Sequence, residues 1–345
     1  MKEKYNVAIV GATGAVGREM MDILDERKFP LGELRLIASE RSAGKEIEFK
    51  GKKLTIQKLD HNCFNGIDIA LFSAGSSRTK EFADSAVQAG AVVIDNSSTY
   101  RLDPEVPLVI PEINPEAISV HKKRGIIANP NCTTAVTIMA LKPLHDIGII
   151  KRVVATSFQA VSGAGAGGLR ELEQQTRAWV NSEEYETETF PYPIAFNVIP
   201  QIDDFQDNQY TKEEMKLHNE TRKILDDDAI QLTATTVRVP VFRAHSVSVN
   251  IETENKITAE EARNAFENFP GIRVVDDPGK ALYPMPLDAA GKDDCIVGRI
   301  REDFTLENGL SFWVVGDQLR KGAALNAVQI GELLIKNYGQ TTNDI

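Results

Sequence analysis

Cys132 is the residue best placed for chemistry in this sequence of 345 residues. It precedes the helix-like segment TTAVTIMALKPL, so its thiol is expected near a helix N-terminus. The helix dipole stabilises a thiolate there, and the thiolate is the nucleophilic form of cysteine. A buried small hydrophobic side chain and a spacer at the helix start are the alternatives. Cys63 and Cys295 lack comparable surroundings and are expected to be structural.

A glycine-rich segment near the N-terminus is the second chemical signal. A strand-like run (YNVAIV) leads into GATGAVG, and an amphipathic helical pattern follows. In this context the glycines let the backbone approach a pyrophosphate, to which the helix N-terminus offers N–H groups. We therefore predict a dinucleotide site, with a tight turn that binds nothing as the alternative. The predicted cofactor contacts in this segment are Gly11, Thr13, Gly14, Ala15, Val16 and Gly17.

The end of the second predicted strand, residues 34–38, indicates which dinucleotide binds. The sequence there continues Ser39-Glu40-Arg41-Ser42. An NAD enzyme usually has an acid at this strand end to accept a hydrogen bond from the ribose 2′-hydroxyl. Two hydroxyls and an arginine suit a 2′-phosphate instead, so Ser39, Arg41 and Ser42 predict NADP. Glu40 leaves NAD open.

A parallel sheet is needed to position these loops. Strand-like runs at 67–72, 92–95 and 125–128 alternate with helical segments, which predicts a parallel sheet with helices on both faces. Ligands of such sheets bind at the carboxyl ends of the strands, so Ser73 and Gly75 are predicted cofactor contacts. Residues from about 133 to 324 carry longer strand-like runs. We predict that they form a mostly antiparallel sheet with helices on one face.

Composition excludes several classes of protein. There are 39 Lys plus Arg and 50 Asp plus Glu, and the resulting net charge of −11 argues against nucleic-acid and anionic-membrane partners. Three scattered cysteines predict neither a disulfide framework nor a metal site. No apolar run approaches the ~20 residues of a membrane span, and the N-terminus lacks the apolar region of a signal peptide. We expect a cytoplasmic protein.

Seven segments, taken in order, resemble the aspartate-semialdehyde dehydrogenase family in its shorter bacterial form. They are GATGAVG, NSSTYR, NPNCTT, SFQAVSGAG, NETRKIL, VRVPVFRAHS and GDQLRKGAALNAVQI. The resemblance implies NADPH-dependent reduction of 4-phospho-L-aspartate to L-aspartate 4-semialdehyde and phosphate, in lysine, threonine, methionine and diaminopimelate biosynthesis. It implies a homodimer that binds small-molecule substrates. It also implies a Rossmann-type NADP-binding domain (residues 1–132 plus 325–345) and an α+β catalytic and dimerisation domain (133–324).

The same resemblance implies the catalytic roles. Cys132 forms an acyl-thioester, and His245 is the general acid/base, work suited to an imidazole near neutral pH. Gln159 orients the substrate, and either Asn131 or the Cys132 backbone N–H stabilises the oxyanion.

Substrate and cofactor contacts are implied in the same way. Arg238 matches a carboxylate clamp, Glu220 a partner of the substrate ammonium, and Arg101 and Lys223 phosphate binders. A surface ion pair is the alternative for Glu220 and Lys223, which are three residues apart in a helical stretch. The implied nicotinamide-side contacts are Ser162, Gly163 and Gln318, with Asn326 as a weaker candidate. A flexible hinge is the alternative for Ser162 and Gly163.

The spacing of Arg238 and His245 conflicts with a shared site. They are seven residues apart in a strand-rich stretch, and an odd spacing places side chains on opposite faces of a regular strand. Pro240 lies between them and cannot donate a backbone hydrogen bond to a sheet. We therefore predict that the strand is interrupted between Arg238 and His245.

Two other functions are alternatives to the one that the family resemblance implies. N-acetyl-glutamyl-phosphate reductase shares the implied fold and thioester chemistry but has a different sequence around its cysteine, and glyceraldehyde-phosphate dehydrogenase is more distant. From a different class, a non-catalytic NADP-binding sensor would keep the fold without the reaction.

Overall fold

The structure is a computed structural model that describes residues 2–340, with side chains for residues 2–337. Residues 1 and 341–345 of the predicted first domain lie outside the described residues. The helices are α1 (Ala15–Glu26), α2 (Ser76–Gln88), α3 (Cys132–Gly148), α4 (Gly165–Asn181), α5 (Lys212–Leu225), α6 (Ala259–Glu267), α7 (Pro286–Ala289) and α8 (Leu325–Gln340). The strands are β1 (Tyr5–Val10), β2 (Leu31–Ala38), β3 (Glu46–Phe49), β4 (Lys52–Thr55), β5 (Gln57–Lys58), β6 (Ile69–Phe72), β7 (Val92–Asp95), β8 (Ile126–Ala128), β9 (Ile150–Gln159), β10 (Gln231–Arg238), β11 (His245–Thr253), β12 (Ile272–Val274), β13 (Cys295–Asp303) and β14 (Gly309–Gly316).

The chain divides into two units. Unit 1 comprises Met1–Asn131 with Ala323–Ile345, and unit 2 comprises Cys132–Gly322. The predicted boundaries, 132/133 and 324/325, lie within two residues of this division.

Unit 1 is built on a six-stranded parallel sheet in the order β5-β2-β1-β6-β7-β8. The side chains of β1 and β6 are buried on both faces, as expected for central parallel strands covered by helices. The apolar face of α1, including Met20 and Ile23, shares one core cluster with Val328 and Leu334 of α8. The carboxyl ends of the strands lead into the loops that carry the predicted cofactor contacts. The predicted Rossmann-type sheet is confirmed.

Unit 2 contains a mixed sheet in the order β10-β9-β11-β14-β13-β12. The three central pairings are antiparallel, and the outer pairings, β10 with β9 and β12 with β13, are parallel. The expected antiparallel character therefore holds for the centre of the sheet and not for its edges. Helix α3 packs against β9, β11, β13 and β14, while α5 packs against β10 and α6 against β12 and β13. These contacts position the N-terminus of α3 beside the central strands.

The predicted interruption between Arg238 and His245 is confirmed. Strand β10 ends at Arg238 and β11 begins at His245. Ala244 has a φ of 75°, a left-handed conformation that is uncommon for a residue with a side chain. The irregular residues 239–244 thus carry the chain from a parallel edge strand to an antiparallel central strand.

The described residues contain neither a membrane-spanning helix nor a cluster of metal-ligand side chains. Between residues 2 and 340, no helix combines the length and apolar character needed to cross a membrane. In the same part of the chain, no group of three or more His, Cys, Asp or Glu side chains could hold a metal ion.

Candidate active site

Cys132 and His245 form the centre of the candidate site in unit 2. Cys132 is the first residue of the 17-residue helix α3, and its Sγ lies 3.5 Å from Nε2 of His245. The backbone N–H of Ala160 donates to Nδ1 of His245 at 3.1 Å. The neutral ring therefore carries its proton on Nε2, the nitrogen that faces the sulfur. This arrangement and the helix dipole both stabilise a thiolate on Cys132.

The His245 ring is neutral at pH 7. Complete burial and the nearby charge of Arg238 lower its pKa from 6.5 to about 3. The sequence-based expectation of an imidazole that titrates near neutrality is therefore wrong. The cause is the fold, which removes water from the ring and brings a guanidinium close to it.

Replacing His245 by glutamine should make the folding stability less sensitive to acid. Between pH 6.5 and 3, the unfolded chain binds a proton at this ring and the folded chain does not, so stability rises with pH across that window. From pH 7 to pH 5, the wild type should lose about 2 kcal/mol more unfolding free energy than His245→Gln. Urea denaturation of both proteins at the two pH values measures this difference. Equal losses would show that His245 titrates normally in the folded protein.

Arg238 lies beside this pair. It is the last residue of β10, is almost completely buried, and donates from Nη1 to the carbonyl of Ala160 at 2.7 Å. Burial lowers the pKa of Arg238, and the charges of Glu213 and Cys132 oppose that shift. A Cβ placed on Gly163 would lie 2.8 Å from Nη1 of Arg238, so the backbone approaches the guanidinium closely at this glycine.

Two further predicted residues connect to the same group. The Gln318 amide nitrogen donates to the Ser162 hydroxyl, and the Gln318 amide oxygen accepts from the Ala244 N–H at 2.8 Å. Gln318 thereby holds the residue that precedes His245. The structure thus brings Ser162, Gly163 and Gln318 to the Cys132 site within unit 2.

Helix α5 contributes a carboxylate, Glu213, that no sequence motif indicates. Glu213 is buried, and its Oε1 lies 3.3 Å from Nε2 of Gln159 and 3.5 Å from Oγ1 of Thr133. Lys216 reaches Oε2 of Glu213 at 3.2 Å and also pairs with Asp203 at 2.8 Å. Glu213 therefore faces the cluster that contains Gln159 and Arg238.

The family resemblance implies Glu220 and Lys223, which lie on the same helix, as substrate contacts. The pattern Glu-x-x-Lys occurs twice in α5, at 213/216 and at 220/223, so spacing does not distinguish the two copies. The second copy lies two turns further along the helix, or about 10 Å. The contacts of Glu213 favour the first copy. The contacts of Glu213 with Gln159 and Thr133 supply the signal that the spacing lacks.

Gly322 packs closely against Cys132. A Cβ on Gly322 would lie 2.9 Å from Cβ of Cys132, so a side chain at position 322 would displace the nucleophile. Asp317 holds the segment leading to Gly322, because its Oδ1 accepts from the Leu319 N–H at 2.8 Å and its Oδ2 from Arg243 Nε at 2.6 Å.

In unit 1, Arg101 and Asn326 are held by backbone carbonyls. Arg101 is buried and donates to the carbonyls of Asn129 at 2.9 Å and Asn96 at 2.8 Å. Asn326 is fully buried, and its amide donates to the Val109 carbonyl and the Asn129 side chain. These contacts give Asn326 a structural role between α8 and the strand-end loops.

A cavity of about 530 Å³ opens at the carboxyl edge of the unit 1 sheet. Five of the predicted cofactor contacts line it: Gly11, Thr13, Gly14, Ser39 and Ser73. Among the described residues, Ala15, Val16, Gly17, Arg41, Ser42 and Gly75 are not part of this lining. Lys58 and Arg78 also line the cavity, and no sequence motif predicts a role for either residue.

The glycine turn of this cavity fits a dinucleotide. Gly11 has a φ of 94°, and a Cβ there would lie 2.3 Å from the Ser73 carbonyl oxygen. Gly14 precedes α1 and supplies no side-chain cap, so the first N–H groups of α1 remain available to an anion. These features are those that a pyrophosphate requires.

Comparison with known proteins gives the family. A model of the semialdehyde dehydrogenase NAD binding domain matches residues 6–121, and a model of the semialdehyde dehydrogenase dimerisation domain matches residues 141–321. The aspartate-semialdehyde dehydrogenase of Aquifex aeolicus is 56% identical over 334 residues, which are 96% of this chain and 98% of the relative. The chain belongs to the aspartate-semialdehyde dehydrogenase family.

Solved structures agree with this assignment. Aspartate semialdehyde dehydrogenase II from Vibrio cholerae, complexed with ASA, is 49% identical and has a TM-score of 0.95 over 98% of this chain and 100% of that chain. The Candida albicans enzyme with NADP is 25% identical and has a TM-score of 0.75 over 96% of this chain and 98% of that chain. As a member of the aspartate-semialdehyde dehydrogenase family, the chain is an oxidoreductase of amino-acid biosynthesis that acts on aspartate semialdehyde. It combines an NAD(P)-binding domain with a dimerisation domain.

Proposed function

We propose that the chain reduces 4-phospho-L-aspartate to L-aspartate 4-semialdehyde and phosphate through an acyl-thioester on Cys132. The observation that carries this proposal is the 3.5 Å approach of Cys132 Sγ to His245 Nε2 at the N-terminus of α3. A thiolate held there is positioned for attack on an acyl carbonyl.

The residues around Cys132 then have separate roles in the reaction. The Cys132 thiolate attacks the acyl phosphate, a C–S bond forms, and the C–O bond to phosphate breaks. NADPH, when bound, supplies the hydride that reduces the thioester carbonyl. His245 donates a hydrogen bond from its Nε2–H to the resulting alkoxide, which collapses to the aldehyde as the C–S bond breaks and the Cys132 thiolate leaves, with the proton still on Nε2. Gln159 orients the acyl group, and Asn131 or the Cys132 N–H stabilises the oxyanion.

Recognition of the substrate needs cationic side chains for its carboxylate and its phosphate, and an anionic side chain for its ammonium. We assign the substrate carboxylate to Arg238, whose fork geometry matches it, and the ammonium to Glu213. Lys216 is a phosphate binder in this assignment, and Arg101 keeps the role of phosphate binder that the resemblance implies for it. The resemblance implies Glu220 and Lys223 for these roles, but the contacts of Glu213 support the first copy of the Glu-x-x-Lys pattern.

We also propose NADP as the cofactor of the unit 1 cavity. The glycine turn and the first N–H groups of α1 fit the pyrophosphate, and the rim carries both Ser39 and Lys58. The Candida albicans relative, which was solved with NADP, supports the same choice. In this proposal Ser162, Gly163 and Gln318 serve the nicotinamide end.

The chain is proposed to act as a homodimer in the cytoplasm. Helices α3, α5 and α6 pack against the unit 2 sheet, and Phe158 and Trp313 form a partly exposed ring pair whose centroids are 5.5 Å apart. These rings suit packing against a second copy. None of the three cysteines forms a disulfide in the described chain, which agrees with a reducing compartment.

Phosphate-dependent turnover tests the proposed function. The purified protein should reduce NADP⁺ in the presence of L-aspartate 4-semialdehyde, and the rate should depend on added phosphate. N-acetyl-glutamate 5-semialdehyde serves as the comparison substrate. Activity only on this acetylated compound would favour the N-acetyl-glutamyl-phosphate reductase alternative, and NADP binding without turnover of either aldehyde would favour a sensor.

A further inference from the structure

An ion pair on the rim of the unit 1 cavity has no role in the proposed reaction. Nζ of Lys58 lies 2.8 Å from Oε1 of Glu40, and both side chains line the cavity. Their side chains are 53% and 79% exposed. An ion pair this exposed contributes little to folding stability, so its position in the cavity is its more informative property.

The topology places this pair where a dinucleotide is distinguished by its ribose. In a sheet of this kind, the adenosine ribose lies beyond the carboxyl end of the second strand. That strand is β2, which ends at Ala38, and Glu40 is two residues further along the chain. The short strand β5 pairs with β2 so that Lys58 lies opposite Ala38. Lys58 therefore reaches the ribose end of the cavity from a neighbouring strand.

We propose that Lys58 is a further specificity-determining residue for the 2′-phosphate of NADP, beyond the predicted Ser39, Arg41 and Ser42, and that Glu40 holds its ammonium at the rim. This inference rests on the proposed cofactor site. Glu40 alone would repel a 2′-phosphate and would accept hydrogen bonds from the ribose hydroxyls of NAD. Lys58 neutralises that carboxylate and adds a cationic donor for the phosphate. The hydrogen bond and charge of Lys58 also hold the pKa of Glu40 below its usual range, so Glu40 stays ionised as its partner.

Titration calorimetry on a set of variants tests this assignment without using turnover. The dissociation constants of NADP⁺, NAD⁺, 2′,5′-ADP and 5′-ADP are measured for the wild type, Lys58→Gln, Glu40→Gln and the double variant. In Lys58→Gln, the dissociation constants of NADP⁺ and 2′,5′-ADP should rise about tenfold, whereas those of NAD⁺ and 5′-ADP should change less than about twofold. The double variant should recover part of the NADP⁺ affinity, because the uncompensated carboxylate is gone.

Arg78→Gln is the matched control. Arg78 lines the same cavity, is 55% exposed, and pairs with Glu81 at 2.8 Å, but it belongs to α2 rather than to the edge beside β2. Its removal should leave the ratio of NADP⁺ to NAD⁺ affinity unchanged. If Lys58→Gln leaves that ratio unchanged while the wild type binds NADP⁺, the role of Lys58 is overturned and the cofactor site stands. If the wild type binds neither dinucleotide, the proposed cofactor site itself fails.

Discussion

Replacing Cys132 by alanine should lower kcat by a factor on the order of 10⁴ or more, because the alternative to covalent catalysis is direct hydride attack on the acyl phosphate. The NADP⁺ dissociation constant should stay within about twofold of the wild type, since the unit 1 cavity does not include Cys132. Phosphate-dependent NADP⁺ reduction measures the first quantity, and calorimetry the second.

Cys63→Ala is the control for this experiment. Burial raises the pKa of the Cys63 thiol, which leaves it a poor nucleophile, and its Sγ donates to the Asp60 carbonyl. Its removal should leave kcat unchanged. Iodoacetamide should react first with Cys132, which is partly exposed while the other two cysteines are buried. Retention of more than about 1% of kcat by Cys132→Ala would contradict the thioester route.

The first unit shows what a sequence of this kind reveals by itself. A strand, a glycine turn and an amphipathic helix are neighbours along the chain, so β1, Gly11 and α1 could be located from local patterns alone. The third glycine of the turn is equally local: a Cβ on Gly17 would lie 2.4 Å from the Gly11 carbonyl oxygen. Family resemblance then added the roles of distant residues that no local pattern connects.

Local patterns do not reveal residues whose importance depends on contacts between segments far apart in the chain. Lys58 belongs to a two-residue strand, which is too short to show a periodic pattern, and it gains its position only by pairing with β2. Glu213 and Glu220 lie in the same local sequence pattern, and Glu213 is distinguished by its contacts with Gln159 and Thr133, which belong to distant segments. The low pKa of His245 follows from complete burial beside Arg238, and neither condition can be read from the neighbouring residues.

The parallel pairings at the edges of the unit 2 sheet also depend on contacts between segments far apart in the chain. Strand β9 pairs in parallel with β10, which follows it only after 71 intervening residues, 160–230. Strand-like runs predict that a sheet forms, but not which runs become neighbours. The parallel pairing matters for the site, because it sets Arg238 directly opposite Gln159.

Arg238→Lys should raise KM for L-aspartate 4-semialdehyde by roughly 10²-fold, with a smaller effect on kcat. Lysine keeps the positive charge but cannot reproduce the two parallel hydrogen bonds of a guanidinium to a carboxylate. The buried Nη1 contact with the Ala160 carbonyl would also be lost, and that carbonyl follows Gln159 directly. Initial rates over a range of aldehyde concentrations at saturating NADP⁺ and phosphate separate KM from kcat. Arg177→Lys, an exposed position paired with Glu173, is the control and should have no effect.

The matching variant Arg238→Gln separates the two roles that the geometry gives to this residue. Both substitutions remove the carboxylate fork, so both should raise KM. Only the glutamine also removes the charge, which is the second cause of the low pKa of His245 after burial. The pKa of His245 should therefore rise in Arg238→Gln relative to Arg238→Lys, as followed by NMR of the ring with His245→Gln identifying the resonance. If the lysine variant binds the aldehyde as well as the wild type does, Arg238 acts only through its charge and another residue must hold the substrate carboxylate.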